Sequence, residues 1–117
     1  MRLIDYPIAI AQKQRELLQS EQHIRRLQDV VNRLTAEIDT TIAFDTDLRN
    51  DAQRKAKRLE LMKAPDYRRA ATNLQMVQDQ RAEIEIDLNL LRNQFSVLKL
   101  ELRESIATRE LQMVDAA

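Results

Sequence analysis

Apolar residues recur along this chain at alternating intervals of three and four positions. In the first half, one series contains Ile10, Leu17, Ile24, Val31, Ile38, Asp45, Ala52 and Leu59, and a companion series contains Leu27, Leu34, Thr41, Leu48, Lys55 and Met62. In the second half, the two series contain Tyr67, Leu74, Arg81, Leu88, Phe95, Leu102 and Ala70, Val77, Ile84, Leu91, Leu98. This spacing predicts helices whose apolar seams pack as a coiled coil.

A short break, Lys63-Ala64-Pro65-Asp66, separates the two seams. The residue before a proline is steered away from helical dihedral angles, and Pro followed by Asp suits the first turn of a new helix. At the other end, Asp5 and Pro7 suit the start of the first helix. The pattern therefore predicts an all-α, long antiparallel coiled-coil hairpin, with helices over residues 7–63 and 66–113 and a turn at 63–66.

Residues 39–47 have the lowest helix propensity of the first helix, because they combine β-branched and Asp residues. The heptad phase nevertheless persists from Ile38 to Leu48 through positions 41 and 45. This continuity favours one uninterrupted helix. The alternative is a three-helix arrangement with a break near 39–47.

Folding the chain about the turn pairs residues whose numbers sum to about 129. Leu34 then lies opposite Phe95, and residues 1–14 form an overhanging N-terminal segment. Arg81 falls one layer from Asp45, so these two side chains form a possible register pair. Alternatively, both extend to solvent.

A second apolar stripe follows the second helix, away from the seam. Exposing it would be an aggregation liability, so we expect a homo-oligomer, either a dimeric four-helix bundle or a larger one. Scattered surface aliphatic residues are the alternative. The predicted oligomer interface consists of Ile86, Leu90, Val97 and Leu100, with Val30 and Phe44 from the first helix.

Composition narrows the class of protein. The 117 residues predict a single helical hairpin domain, because charged residues make up 32%, aromatic residues 3%, and glycine is absent. The absence of cysteine excludes a disulfide framework and a thiolate zinc site. The N-terminus lacks the long apolar run of a signal peptide or membrane span, so we expect a cytoplasmic protein with no membrane partner.

Candidate chemistry is sparse. His23 is the only histidine, and a carboxylate-bundle metal site would need a Glu where Ser20 stands. The serines have no histidine base or glycine-rich oxyanion loop nearby in sequence. We therefore expect no enzyme, no catalytic residue, no metal, no cofactor and no small-molecule substrate.

Basic residues concentrate around the turn. Residues 49–69 hold eight basic and three acidic residues, although the whole chain is neutral, with 19 of each. This basic tip could contact DNA or RNA phosphates or an acidic protein, or it could simply complement the dipole at the end of the first helix. The candidate contacts are Arg54, Lys57, Arg58, Lys63, Arg68 and Arg69.

The outline resembles prefoldin subunits, which are helical hairpins that assemble with one another. It also resembles the basic helical arm of seryl-tRNA synthetases, which implies contact with RNA. From the residues themselves we expect a non-enzymatic, self-associating coiled-coil scaffold or adaptor that binds an unidentified protein partner. The alternative function is a nucleic-acid-binding protein that contacts phosphates through the basic tip.

Overall fold

The computed structural model describes residues 1–116, and 90% of the structure is helical. A single 3-10 turn, Leu3–Asp5, leads into helix α1, Tyr6–Ala43. Helix α2 spans Asp51–Leu61, and helix α3 spans Pro65–Ala116. The all-α class is confirmed, as is a helix boundary at Pro65. The reversal of chain direction, however, falls between Ala43 and Asp51 and not at the predicted turn 63–66, because both α2 and α3 pair with α1.

The expected continuous first helix is wrong, and the three-helix alternative describes the chain. Helix α1 ends at Ala43, where the hydroxyls of Thr40 and Thr41 each donate to the carbonyl four residues earlier at 2.9 Å. Such bonds weaken and bend a helix. Asp45 then accepts a hydrogen bond from the Asp47 N–H at 2.9 Å, which forms a local turn instead of a further helical turn.

Helix α2 has its own start signal. The side chain of Asn50 accepts a hydrogen bond from the Gln53 N–H at 2.9 Å, and the Gln53 side chain accepts one from the Arg49 N–H at 2.7 Å. These two bonds satisfy N–H groups that a helix start leaves without partners. The local capping bonds therefore compete successfully with continuation of the heptad pattern.

The structure divides into two compact units, and each contains a segment of α1 and a segment of α3. The first, the terminal unit, consists of residues 1–18 and the chain from Ala82 onward. Within it, the buried Tyr6 ring stacks on Phe95 with centroids 5.7 Å apart, and Lys13 Nζ lies 3.8 Å from the Asp87 carboxylate. The α1 and α3 segments of this unit are therefore antiparallel, with paired residue numbers that sum to 100–101.

The second, the central unit, consists of Gln19–Arg81. Glu21 pairs with Arg81 in it, which gives a sum of 102, and Arg58 of α2 pairs with Asp39 of α1. Ile38, Leu74 and Val77 are its buried hydrophobic residues. Along this unit, α2 and the first part of α3 therefore follow α1 in the opposite direction.

The predicted register sum of about 129 is wrong by 28 positions, which is four heptads. A shift by whole heptads brings the same seam faces together, so the periodicity is equally satisfied by both registers. The break after Ala43 makes the chain fold back earlier. As one consequence, Leu59 remains 56% exposed on α2.

The unpaired end also differs from the expected one. Residues 1–14 do not overhang, because Tyr6 is buried and Ile10 is half-buried. Instead, every residue from Lys99 to Asp115 is exposed. The C-terminal part of α3 thus continues beyond the point at which α1 begins.

Candidate interaction surfaces

The predicted interface residues on α3 are solvent-exposed. Each follows a seam residue by two positions, as Leu90 follows Leu88 and Val97 follows Phe95. Two positions correspond to about 200° around a helix, so these residues lie on the face opposite the seam. Their exposed fractions are 66% for Ile86, 54% for Leu90, 52% for Val97 and 56% for Leu100.

The same face continues to the end of α3, which the sequence interpretation missed. Ala107, Leu111 and Val114 follow Leu100 at intervals of seven, four and three, and all three are exposed. Continuing the same count along the printed sequence would have found them. We call the face from Ile86 to Leu111 the outer stripe; its residues are Ile86, Leu90, Asn93, Val97, Leu100, Glu104, Ala107 and Leu111.

The other two predicted interface residues lie in the central unit. Val30 is half-buried and lines a groove with Leu27 and Asn73, so part of its surface already packs within the unit. Phe44 lies in the loop after α1 and is 82% exposed. The two therefore occupy different environments.

The seam itself is uncovered over the last part of α3. Leu102 continues the series that contains Leu88 and Phe95, and Ile106 and Met113 lie one place after the positions that continue the series of Leu91 and Leu98; all three are exposed. This segment presents apolar residues on both the seam face and the outer stripe.

The basic residues predicted to lie at a hairpin tip instead lie in α2, in the turn after it and at the start of α3, alongside α1, and they fall into two groups of three. Arg54, Lys57 and Arg58 form ion pairs with Asp51, Glu60 and Asp39, respectively. Lys63, Arg68 and Arg69 are exposed, and within residues 1–116 they form no side-chain ion pair or hydrogen bond. The second group is therefore the one with donors available to an anionic partner.

The members of the predicted register pair take different positions. Arg81 donates from Nη2 and Nε to Oε1 of Glu21, at 2.9 and 3.3 Å, and both side chains are about one-third exposed. Asp45 lies in the loop after α1, where it accepts the Asp47 N–H. The polar layer around Arg81 thus joins α3 to α1 through Glu21.

A second α1–α3 ion pair lies in the terminal unit. Lys13 Nζ donates to Glu16 at 3.0 Å and lies 3.8 Å from Asp87. The hydrogen bond with Glu16 is the main cause that raises the pKa of Lys13 above its ordinary value, and the negative charges of Glu16 and Asp87 act in the same direction. The protonated lysine is therefore stabilised by neighbours on both helices.

Metal-ligand clusters are absent from the described part of the chain, where no three His, Cys, Asp or Glu side chains lie together as ligands would. His23 is exposed beside a groove lined by Asn73 and Met76. None of the described helices is long and apolar enough to cross a bilayer.

A scan against protein-family models and searches of curated proteins and of solved structures found no match to this chain.

Proposed function

We propose that this protein is a non-enzymatic helical scaffold that self-associates through the outer stripe of α3 and presents its remaining helix faces to a protein partner. One observation carries the proposal: four aliphatic side chains at helical spacing, Ile86, Leu90, Val97 and Leu100, are each more than half exposed. Contiguous apolar surface of this kind marks interaction sites on soluble proteins.

The thin core of the chain supports the same proposal. Among the described residues, only five hydrophobic side chains are buried: Tyr6, Ile38, Leu74, Val77 and Leu88. Small domains bury a low fraction of their surface and gain most from assembly. Covering the outer stripe adds burial at about 25 cal/mol per Å² of apolar surface.

Sedimentation velocity tests the proposal with a matched pair of variants. We expect the wild-type protein to form a dimer or larger oligomer at ~10–100 μM, and Leu100→Glu to shift it to monomer because a buried carboxylate would oppose the interface. Leu59→Glu is the control, since Leu59 and Leu100 have the same 56% exposure. A monomeric wild-type protein, or equal effects of both variants, would contradict the proposal.

A second candidate function is nucleic-acid binding through the basic tip, and the exposed side chains of Lys63, Arg68 and Arg69 favour it. These cations form no ion pair with a carboxylate in the described chain, so phosphate contact would not first require breaking one. Lysine and arginine that neutralise phosphates release counterions, which drives binding without sequence readout.

Binding to labelled single- and double-stranded DNA and RNA tests this second function. If three phosphates are neutralised, affinity should fall about 40-fold for duplex DNA and about 20-fold for single strands between ~50 and ~200 mM salt. Charge reversal of Lys63, Arg68 and Arg69 to Glu should weaken binding more than reversal of the ion-paired Arg54, Lys57 and Arg58. No binding at low salt would eliminate this function, and equal loss in both triple variants would indicate a response to net charge alone.

A further inference from the structure

The outer stripe carries two polar residues among its aliphatic ones. Asn93 lies between Leu90 and Val97, and Glu104 lies between Leu100 and Ala107. Both are exposed. In an apolar helix interface such polar positions restrict which register and orientation the partner can adopt, because a polar group opposite an aliphatic one loses water without gaining a hydrogen bond.

The order of apolar and polar residues along the outer stripe is the same in both directions along the helix. About a two-fold axis placed between Leu98 and Lys99, an antiparallel second copy brings Val97 opposite Leu100 and Asn93 opposite Glu104. The same operation brings Leu90 opposite Ala107 and Ile86 opposite Leu111. Every aliphatic residue from Ile86 to Leu111 then meets an apolar residue, and each polar residue meets the other polar residue. Val114, which follows the stripe on the same face, lies opposite Glu83.

Neighbouring registers lack this match. A shift of one heptad in one direction places Asn93 opposite Val97 and Glu104 opposite Ile86. A shift in the other direction places Asn93 opposite Leu111 and Glu104 opposite Leu100. A parallel pair would place two Glu104 carboxylates against each other, which is unfavourable because like charges repel.

We propose that the partner of the outer stripe is a second copy of the same chain, bound antiparallel with its two-fold axis between Leu98 and Lys99. The inference rests on the self-association proposed above and specifies its orientation and register. The observation behind it is the symmetric placement of Asn93 and Glu104 within a stripe whose residues are all exposed.

The length and position of the stripe suit this role. From Ile86 to Leu111 it extends for nearly four heptads, or about 38 Å at 1.5 Å per residue, which is sufficient for a specific coiled-coil seam. The stripe lies about 200° from the seam that holds α1 in the terminal unit. A second α3 helix can therefore bind without displacing α1.

Disulfide trapping tests the orientation directly, because the chain contains no cysteine. With oxidised glutathione as oxidant, the double variant Ile86→Cys/Leu111→Cys should give a covalent dimer, whereas Ile86→Cys alone and Leu111→Cys alone should not. In each single variant the two sulfurs would lie about 37 Å apart, far beyond disulfide reach. Leu59→Cys serves as the control for random collision of exposed cysteines.

A charge exchange tests the register without crosslinking. Asn93→Asp should weaken dimerisation by about tenfold, because each polar layer would then hold two carboxylates. Adding Glu104→Arg should restore it, since the new carboxylate at position 93 and the new guanidinium at position 104 attract only when the copies are antiparallel in this register. Both positions are exposed, so the fold of the single chain should not change.

The outcomes separate the two proposals. Covalent dimers from Ile86→Cys alone, or further weakening in the double charge variant, would overturn the antiparallel register while leaving self-association intact. If the wild-type protein sediments as a dimer but Ile86→Cys/Leu111→Cys gives no covalent dimer, the antiparallel register is again overturned and self-association is not. A wild-type protein that stays monomeric would overturn self-association and this inference together.

Discussion

Two neighbouring stretches of α3, residues 84–98 and residues 99–115, have similar patterns but different surroundings. In the first, the seam residue Leu88 is only 2% exposed and Phe95 stacks on Tyr6. In the second, the seam residues Leu102 and Ile106 are each nearly half exposed. The apolar pattern is common to both, so it does not by itself determine burial.

The difference follows from the length of the partner helix. The antiparallel register places Tyr6, the first residue of α1, beside Phe95. Beyond that layer no α1 residue remains to cover α3. An amphipathic pattern thus identifies a surface that needs a partner, and the tertiary structure determines whether the chain itself supplies one.

The largest expected effect comes from truncating the covered seam. Leu88→Ala should lower the free energy of unfolding by about 2–5 kcal/mol, because it leaves a cavity among buried side chains. The matched variant Leu102→Ala should cost less than about 0.5 kcal/mol, because it removes an exposed side chain. Urea denaturation followed by circular dichroism measures both, at low protein concentration. Equal losses would show that residues 99–115 are covered in solution.

Removing the uncovered stretch should separate folding from association. In the antiparallel pair, each layer combines one residue before Leu98 with one after Lys99, so a chain that ends at Lys99 should lose every layer and sediment as a monomer. Its remaining helices should stay folded, because every residue that is removed, from Leu100 to Asp115, is exposed. Truncation after Asp115 is the control. Loss of cooperative unfolding in the shorter chain would contradict this division.

A smaller effect is expected from the polar layer that joins α3 to α1. Arg81→Leu should lower the free energy of unfolding by about 1 kcal/mol or less, since the ion pair with Glu21 is partly exposed. It should also permit the register that lies four heptads away, in which residues 99–115 would become covered.

Cysteine pairs can report that register within the central unit. The pair Leu27→Cys/Leu74→Cys should crosslink efficiently in the observed register, and the pair Lys55→Cys/Leu74→Cys should crosslink in the shifted one. We expect Arg81→Leu to lower the yield of the first pair and raise that of the second. Unchanged yields would show that the break after Ala43 alone sets the register.

The smallest expected effect is a change in stability with pH that arises from Lys13, which lies beside Asp87 in the covered stretch of α3. The raised pKa of Lys13 means that the folded state binds this proton more tightly than the unfolded state, whose value is near 10.5. The resulting stabilisation is present below that value and disappears as pH rises through the higher folded pKa. Between pH 9 and 12, the melting temperature of wild type should fall slightly more than that of Lys13→Met. Parallel curves would show that the contacts with Glu16 and Asp87 contribute nothing.

Several features can be predicted from the sequence because they depend on local chemistry. Pro65 restricts the residue before it, so a helix boundary there requires no tertiary information. The spacing of Leu88, Phe95, Leu90 and Val97 places two pairs on opposite faces of one helix. The low helix propensity of residues 39–47 is equally visible in the sequence, but heptad continuity favours the wrong alternative there.

The partner of Arg81 could not be predicted, because it depends on the register. With a register sum of about 129, Asp45 is the nearest carboxylate, whereas the observed register brings Glu21 to it. Both registers satisfy the same apolar periodicity, since they differ by whole heptads. The hydrogen bonds that the Asn50 and Gln53 side chains accept start α2 as a helix separate from α1, and this favours the observed register over the predicted one.

By itself, therefore, the sequence determined the all-α class, the helix boundary at Pro65 and the apolar faces of the helices, since these follow from residue type and short-range spacing. Only the tertiary structure decided which layers meet, which end of the long helices lacks a partner, and which cations of the basic tip are paired. The physical reason is that a heptad repeat looks the same after every seven residues. Choosing among equivalent alignments requires contacts between residues far apart in the chain.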